Sequence, residues 1–182
     1  AYPIAPAADS DLQLPPDLRQ PLRELALRWT AGAADAAAEL EAIEQRLVND
    51  FSYSLDFEHS GRVDPVVEFL FRRKTGHCEY FATAMALLAR SRGIPARVVG
   101  GYRVTEKNEL GDYYVVRERN AHTWVEAWLP GQGWRTYDPT PPGELLAYSH
   151  TSMGWLASLG DLATGSWTTF LRWLDRRSWL EM

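Results

Sequence analysis

The chain contains one cysteine, Cys78, and only four histidines from which a partner for it could come. A cysteine acting as nucleophile needs a base to take its proton and later return it to a leaving amine. That base needs a partner to set its tautomer and stabilise its cation. Cys78, His122 and Asp138, in that order along the chain, are residue types able to fill these three roles. Glu126 and Trp124 alternate with His122 and so share its side of an extended segment, as a second shell, a substrate wall or ordinary sheet packing. His77, next to Cys78, suits a solvated or capping position better than one tuning the thiol. The backbone N–H of Cys78 is one donor for an oxyanion, and Tyr53 is the candidate for a second, with aromatic packing as its alternative. His59 and His150 have no pattern around them.

The element that must present the thiol is a helix. Phe81, Met85, Leu88 and Ala89 recur at helical spacing, and Ala82, Ala84 and Leu87 fill most of the remainder, which predicts a helix buried on nearly all sides. Thr75 and Gly76 read as start signals, and Gly93 followed by Pro95 as the stop. A thiol in the first turn meets the positive end of the helix dipole and unpaired N–H groups, which favour thiolate. The alternative for Cys78 is a buried structural cysteine, since free cysteine is among the most buried residue types.

The imidazole and the carboxylate need strands. His122 to Leu129 alternates, with His122, Trp124, Glu126 and Trp128 on one side and Thr123, Val125, Ala127 and Leu129 on the other. Pro130 to Gly133 is a turn, and Trp134 to Tyr137 should return antiparallel, making His122 and Asp138 cross-strand neighbours. The sheet edge then packs against the start of the Cys78 helix. Arg97 to Val104 and Tyr113 to Arg117 read as a hairpin around Lys107, Asn108 and Gly111.

Upstream, residues 1–16 form an extended Pro- and Ala-rich arm. Asp17 to Thr30 is predicted helical, with Leu18, Leu22, Leu25 and Trp29 on one face and Pro21 in its first turn. Asp35 to Asp50 is a second helix, burying Leu40, Ile43, Leu47 and Val48 while Glu39, Glu41, Glu44 and Arg46 face water. Phe51 to Phe57 is extended, and Asp64-Pro65 opens a further helix ending at Arg72 to Lys74. Four of the eight tryptophans lie between Glu144 and Met182. Trp167, Phe170, Leu171 and Leu174 there suggest an amphipathic helix that packs back on the domain or lies against a bilayer surface.

The 182 residues suffice for one domain with an appended segment, and 46% apolar with 24% charged residues is ordinary globular composition. The expected division is an arm over 1–16, a catalytic domain over 17–143 and a Trp-rich segment over 144–182. A net charge of −5 without a basic stripe argues against nucleic acid. No run of 18 apolar residues occurs, no signal-peptide pattern opens the chain, and its start at Ala1 suggests a piece of a longer protein. One cysteine leaves no internal disulfide. A metal centre from His77, Cys78, His122 and Asp138 is disfavoured, because ligands adjacent in sequence seldom reach one ion, and none is expected.

The segments GHCEYFATAMALLARSRGIPARVVGGY, AHTWVEAWLPGQGWRTYDPTP and FSYSL resemble the bacterial transglutaminase-like family of the papain-like cysteine-protease superfamily, over roughly residues 35–142. The resemblance implies an α+β, papain/transglutaminase-like fold in which a helical subdomain presents the Cys-bearing helix to an antiparallel sheet carrying His and Asp. It implies Cys78 as acyl-accepting nucleophile, His122 as general base and Asp138 as its orienter. It also implies a protein or peptide substrate with a glutamine donor and an amine acceptor, and no cofactor. A thioester on Cys78 could be resolved by an amine or by water, and a non-catalytic envelope interaction domain is the alternative. The flanks resemble the membrane-anchored branch of the family, whose domain lies outside the cytoplasmic membrane, so the expected location is periplasmic, in a longer inner-membrane protein.

Overall fold

Aspartate side chains start two of the helices that frame the site. In a computed structural model, which describes residues 5–56, 63–104, 106–108 and 111–142, Asp35 Oδ1 accepts the Ala38 N–H at 2.9 Å and opens the helix Ala36–Asp50 (α2). Asp64 Oδ1 accepts the N–H groups of Val66 and Val67 and opens Pro65–Glu68 (α3). The preceding helix, Pro16–Trp29 (α1), begins on a proline, whose fixed φ suits the first turn. Pro21 lies beyond that turn, correcting the expectation, so the helix forgoes one internal bond while burying Leu18, Leu22, Leu25 and Ala26. The expectations for 144–182, for His150 and for His59 lie outside the described residues.

The helix expected to run to Lys74 widens instead. After Glu68 the chain makes a π-turn over Phe69–Arg73, closed by an N–H from Lys74 to the Phe69 carbonyl at 3.0 Å. Phe69 and Leu70 are both buried there, and Arg73 Nε reaches the buried Glu68 carboxylate at 2.9 Å. Ser52–Tyr53 (β1) then pairs in parallel with Thr75–Gly76 (β2). Thr75 and Gly76 are therefore strand residues and not the helix start. The backbone hydrogen bonds of Ser52 and Ser54 to Lys74 and Gly76 account for the difference, since these N–H groups find partners in the strand pair.

His77 occupies the N-cap position of the central helix, Cys78–Ser91 (α4). As its composition requires, α4 is enclosed on most sides: Phe81, Ala82, Ala84, Met85, Ala86, Leu88 and Ala89 are buried. It packs against α1, α2 and the strands Ala96–Tyr102 (β3) and Ala121–Leu129 (β6). Its far end is tied to α2 by two hydrogen bonds from Arg92 to Glu39, both 2.8 Å, so Glu39 does not simply face water. Gly93, with φ of 78°, ends it as expected.

The sheet corrects the expected pairing. β3 joins β6 in antiparallel register from Ala96 opposite Ala127 to Tyr102 opposite Ala121, across a long chain separation. Gly133–Tyr137 (β7) pairs on the other side of β6 through the expected turn, giving the order β3-β6-β7. His122 therefore lies on the central strand and not at a sheet edge. Burial explains the choice: this register sets Ala96 beside Ala127 and Val98 beside Val125, and Ala96, Val125 and Ala127 are fully buried in the core that contains α4. The cross-strand Arg97–Glu126 ion pair adds to it.

Residues 103–120 belong to a second compact unit. It contains a short hairpin of Glu106–Asn108 (β4) and Tyr113–Val115 (β5), so Tyr113–Val115 pairs with residues expected in the turn and not with Arg97 to Val104. Glu106 is buried and takes hydrogen bonds from Arg117 and Arg119. Asn108, also buried, donates to the Tyr113 hydroxyl and accepts from the Gly111 N–H.

Candidate active site

Cys78 is the first residue of α4, so its backbone N–H has no acceptor within the helix and the positive end of the dipole lies at its sulfur. His122 is the second residue of β6, 5% exposed. Asp138 follows the last residue of β7. Continuing the register, in which Val125 faces Tyr137, sets Asp138 opposite Trp124 and makes it the diagonal rather than the direct neighbour of His122. The diagonal suffices: His122 Nε2 lies 2.8 Å from Asp138 Oδ2. A carboxylate only accepts, so the proton of this bond sits on Nε2. The other ring nitrogen, Nδ1, is buried and is not engaged by Asp138.

Three shifted pKa values describe the electrostatics. Burial pushes the Cys78 thiol up, but hydrogen bonding and charge from His122, with hydrogen bonds from Thr123, outweigh it and the net shift is down. Burial pushes the His122 imidazole down, but Asp138, and then Cys78, raise it to about 9. Burial likewise pushes Asp138 up, and His122 together with the Thr140 N–H, 3.2 Å from Oδ1, brings it below its ordinary value. Each partner favours the charged form of the next, so the arrangement supports thiolate, imidazolium and carboxylate together.

Two further side chains hold these groups. The Trp124 ring stacks on His122 with centroids 6.2 Å apart. It also lies over Gly101, where an added Cβ would come within 2.6 Å of the ring. Glu44, on α2, accepts the Asp138 N–H at 2.8 Å. Burial, followed by the Asp138 and Glu41 charges, pushes its carboxyl above the usual range even though the Asp138 N–H favours the ion. Helical periodicity had set Glu44 facing water; nothing local marks it, because its acceptor role exists only once β7 ends beside α2. Thr123 had a visible signal, being a hydroxyl residue on an otherwise apolar strand face.

The other candidates are accounted for differently. Glu126 is held by Arg97 through hydrogen bonds of 2.9 and 2.6 Å, and Arg97 lies over the Trp134 ring at 4.1 Å. Tyr53 comes near through its backbone, opposite Gly76, while its ring packs on the core. The His77 side chain makes no capping bond; its ring meets Tyr80 edge-on at 4.8 Å. Among the described residues no group of three His, Cys, Asp or Glu side chains is placed to hold a metal ion.

The chain matches the transglutaminase-like superfamily over residues 23–139. It is 42% identical over 131 residues to a protein-glutamine gamma-glutamyltransferase of Pseudomonas aeruginosa, covering 71% of this chain and 20% of that protein. It is 39% identical over 140 residues to the uncharacterized protein YebA of Bacillus subtilis, covering 73% of this chain and 19% of that one. It thus spans about a fifth of the length of these curated relatives. Crystal structures of the periplasmic domain of TgpA from Pseudomonas aeruginosa, with and without ethylmercury, superpose with TM-scores of 0.66 and 0.65 at 40% identity. They cover 74% and 75% of this chain, and 50% and 46% of theirs.

Proposed function

Since the chain belongs to the transglutaminase-like superfamily and has its α+β fold, we propose that it catalyses cysteine-dependent acyl transfer at a glutamine carboxamide. The Cys78 thiolate attacks the carboxamide carbon, and its proton resides on His122 Nδ1. The tetrahedral oxyanion forms beside the Cys78 N–H. When the C–N bond breaks, His122 delivers the proton to the nitrogen, ammonia leaves, and a thioester remains on Cys78. A primary amine then gives up a proton to His122 and attacks the thioester, yielding a new amide and the free thiolate; water in its place yields the acid. Asp138 keeps the Nε2 proton in place and stabilises the imidazolium through both steps.

One observation carries this reading. His122 gives Nε2 to Asp138, which leaves its buried Nδ1 as the ring atom available to Cys78, and the two groups shift one another toward the ion pair. The likeness to the TgpA periplasmic domain, and the fraction of the relatives covered, support a periplasmic domain of a longer, membrane-anchored protein of the TgpA type. No helix among the described residues is long and apolar enough to cross a membrane.

The test is incorporation of a labelled primary amine into a glutaminyl peptide, run beside ammonia release on the same peptide. Amine incorporation above hydrolysis is expected, with Cys78→Ala inactive yet folded. Turnover surviving in Cys78→Ala would refute the assignment.

A further inference from the structure

We propose that Thr140 is a positioning residue for the reaction: its hydroxyl and its backbone N–H together hold Oδ1 of Asp138, which keeps Oδ2 directed at His122. The proposal rests on the roles given above to Cys78, His122 and Asp138 and deepens them. A carboxylate on a short side chain turns readily about its last bond, because torsions of this kind have broad wells. The His122 bond, made by Oδ2 at 2.8 Å, fixes one of the two oxygens. A second hold on the other oxygen stops that rotation and gives the ring a steady partner for its tautomer.

The run Asp138-Pro139-Thr140 supplies this hold. Pro139 has no N–H and a fixed φ, so it cannot donate and it sets where the next residue falls. The Thr140 N–H lies 3.2 Å from Oδ1 and closes an Asx turn just after β7. Pro139 is fully buried and Thr140 is 3% exposed, so the turn is packed in place. The Thr140 Oγ1 is buried with it. It stands three bonds from the nitrogen that already meets Oδ1, and a staggered χ1 brings it to the same oxygen. A hydroxyl shut away from water is costly unless it donates to a neighbouring acceptor, and valine would fill the space without that cost. The Asp138 carboxylate is the charged neighbour on which it acts, lowered by the hydroxyl and the N–H of Thr140 in addition to His122. Glu44 also faces Asp138, but it takes the Asp138 N–H and so steadies the backbone rather than the carboxylate.

The experiment compares Thr140→Val, Thr140→Ser and Thr140→Ala on two readouts. One is kcat and KM for amine incorporation into a glutaminyl peptide; the other is the titration of the Asp138 carboxyl carbon by NMR, which needs no turnover. Loss of a hydrogen bond to a charged group should lower kcat roughly tenfold in Thr140→Val with KM unchanged. The Asp138 carboxyl should then titrate at higher pH than in the wild type, because a donor to its charged form is gone. Thr140→Ser keeps the hydroxyl and should recover most of both effects. Should Thr140→Val not fold, serine against alanine decides, since those two differ only in the hydroxyl. Equal kcat with and without the hydroxyl, or an Asp138 titration unmoved by its loss, overturns the proposal. An Asp138 titration that moves as expected, in a protein that turns over no glutaminyl peptide, would keep Thr140 as the partner of Asp138 and remove the transfer reaction.

Discussion

Replacing Asp138 by Asn removes a charge while keeping the shape of the side chain, and its effect can be worked out from His122. The imidazole is raised from 6.5 to about 9, with burial working against the rise and Asp138 the largest cause in favour of it. At 1.36 kcal/mol for each pKa step, that interval is about 3 kcal/mol, or roughly 300-fold in the stability of the imidazolium relative to the neutral ring. Burial persists in the variant while Cys78 still favours the cation, so the ring should titrate clearly below 9. The Asp138 side chain is 34% exposed, and water screens part of its field, so 300-fold is an upper figure for the loss of kcat/KM at neutral pH and about tenfold a lower one. Two assays read the same change: the NMR titration of His122 and the pH profile of amine incorporation. A ring that still titrates near 9 in Asp138→Asn, or a rate within about threefold of the wild type, would show that the 2.8 Å contact does not set the ionisation of His122.

Glu44→Ala removes the acceptor of the Asp138 N–H, a loss worth about 1 kcal/mol, so kcat should fall severalfold with KM little changed; Glu44→Gln keeps an acceptor oxygen and should recover most of it, and equal losses in the two variants would contradict this. The ionisation of the pair also leaves a mark on stability. His122, raised in the fold, contributes stability that is complete below pH 6.5 and lost as pH rises through about 9, while the lowered Cys78 contributes stability present above its ordinary 9.0 and lost as pH falls through its folded value. The two contributions slope in opposite directions with pH, so they offset one another in urea denaturation wherever the folded chain holds imidazolium and thiolate together. Cys78→Ala should uncover a decline in stability above pH 6.5, and a flat profile in that variant would disprove the pairing. Finally, Gly101→Ala should cost about 1–3 kcal/mol in urea denaturation, because its Cβ falls 2.6 Å from the Trp124 ring; an unchanged midpoint would mean the ring yields freely.

Much of the scaffold could be read in one dimension because its signals are local. The enclosed helix α4 followed from apolar residues at every angle around it, and the turn between β6 and β7 from Pro130 to Gly133. The order of Cys78, His122 and Asp138 suggested their chemistry through residue type alone. Long-range pairing was not legible. β3 alternates as well against a local partner as against β6, and only the burial of Ala96, Val125 and Ala127 against α4 selects the distant strand. The same holds for Glu44, whose position on α2 reads as solvent-facing until the end of β7 brings an N–H to it. Residue type and period are properties of neighbours along the chain. Which carbonyl, carboxylate or ring ends beside which depends on contacts between segments far apart in sequence, where the burial of one face excludes every register but one.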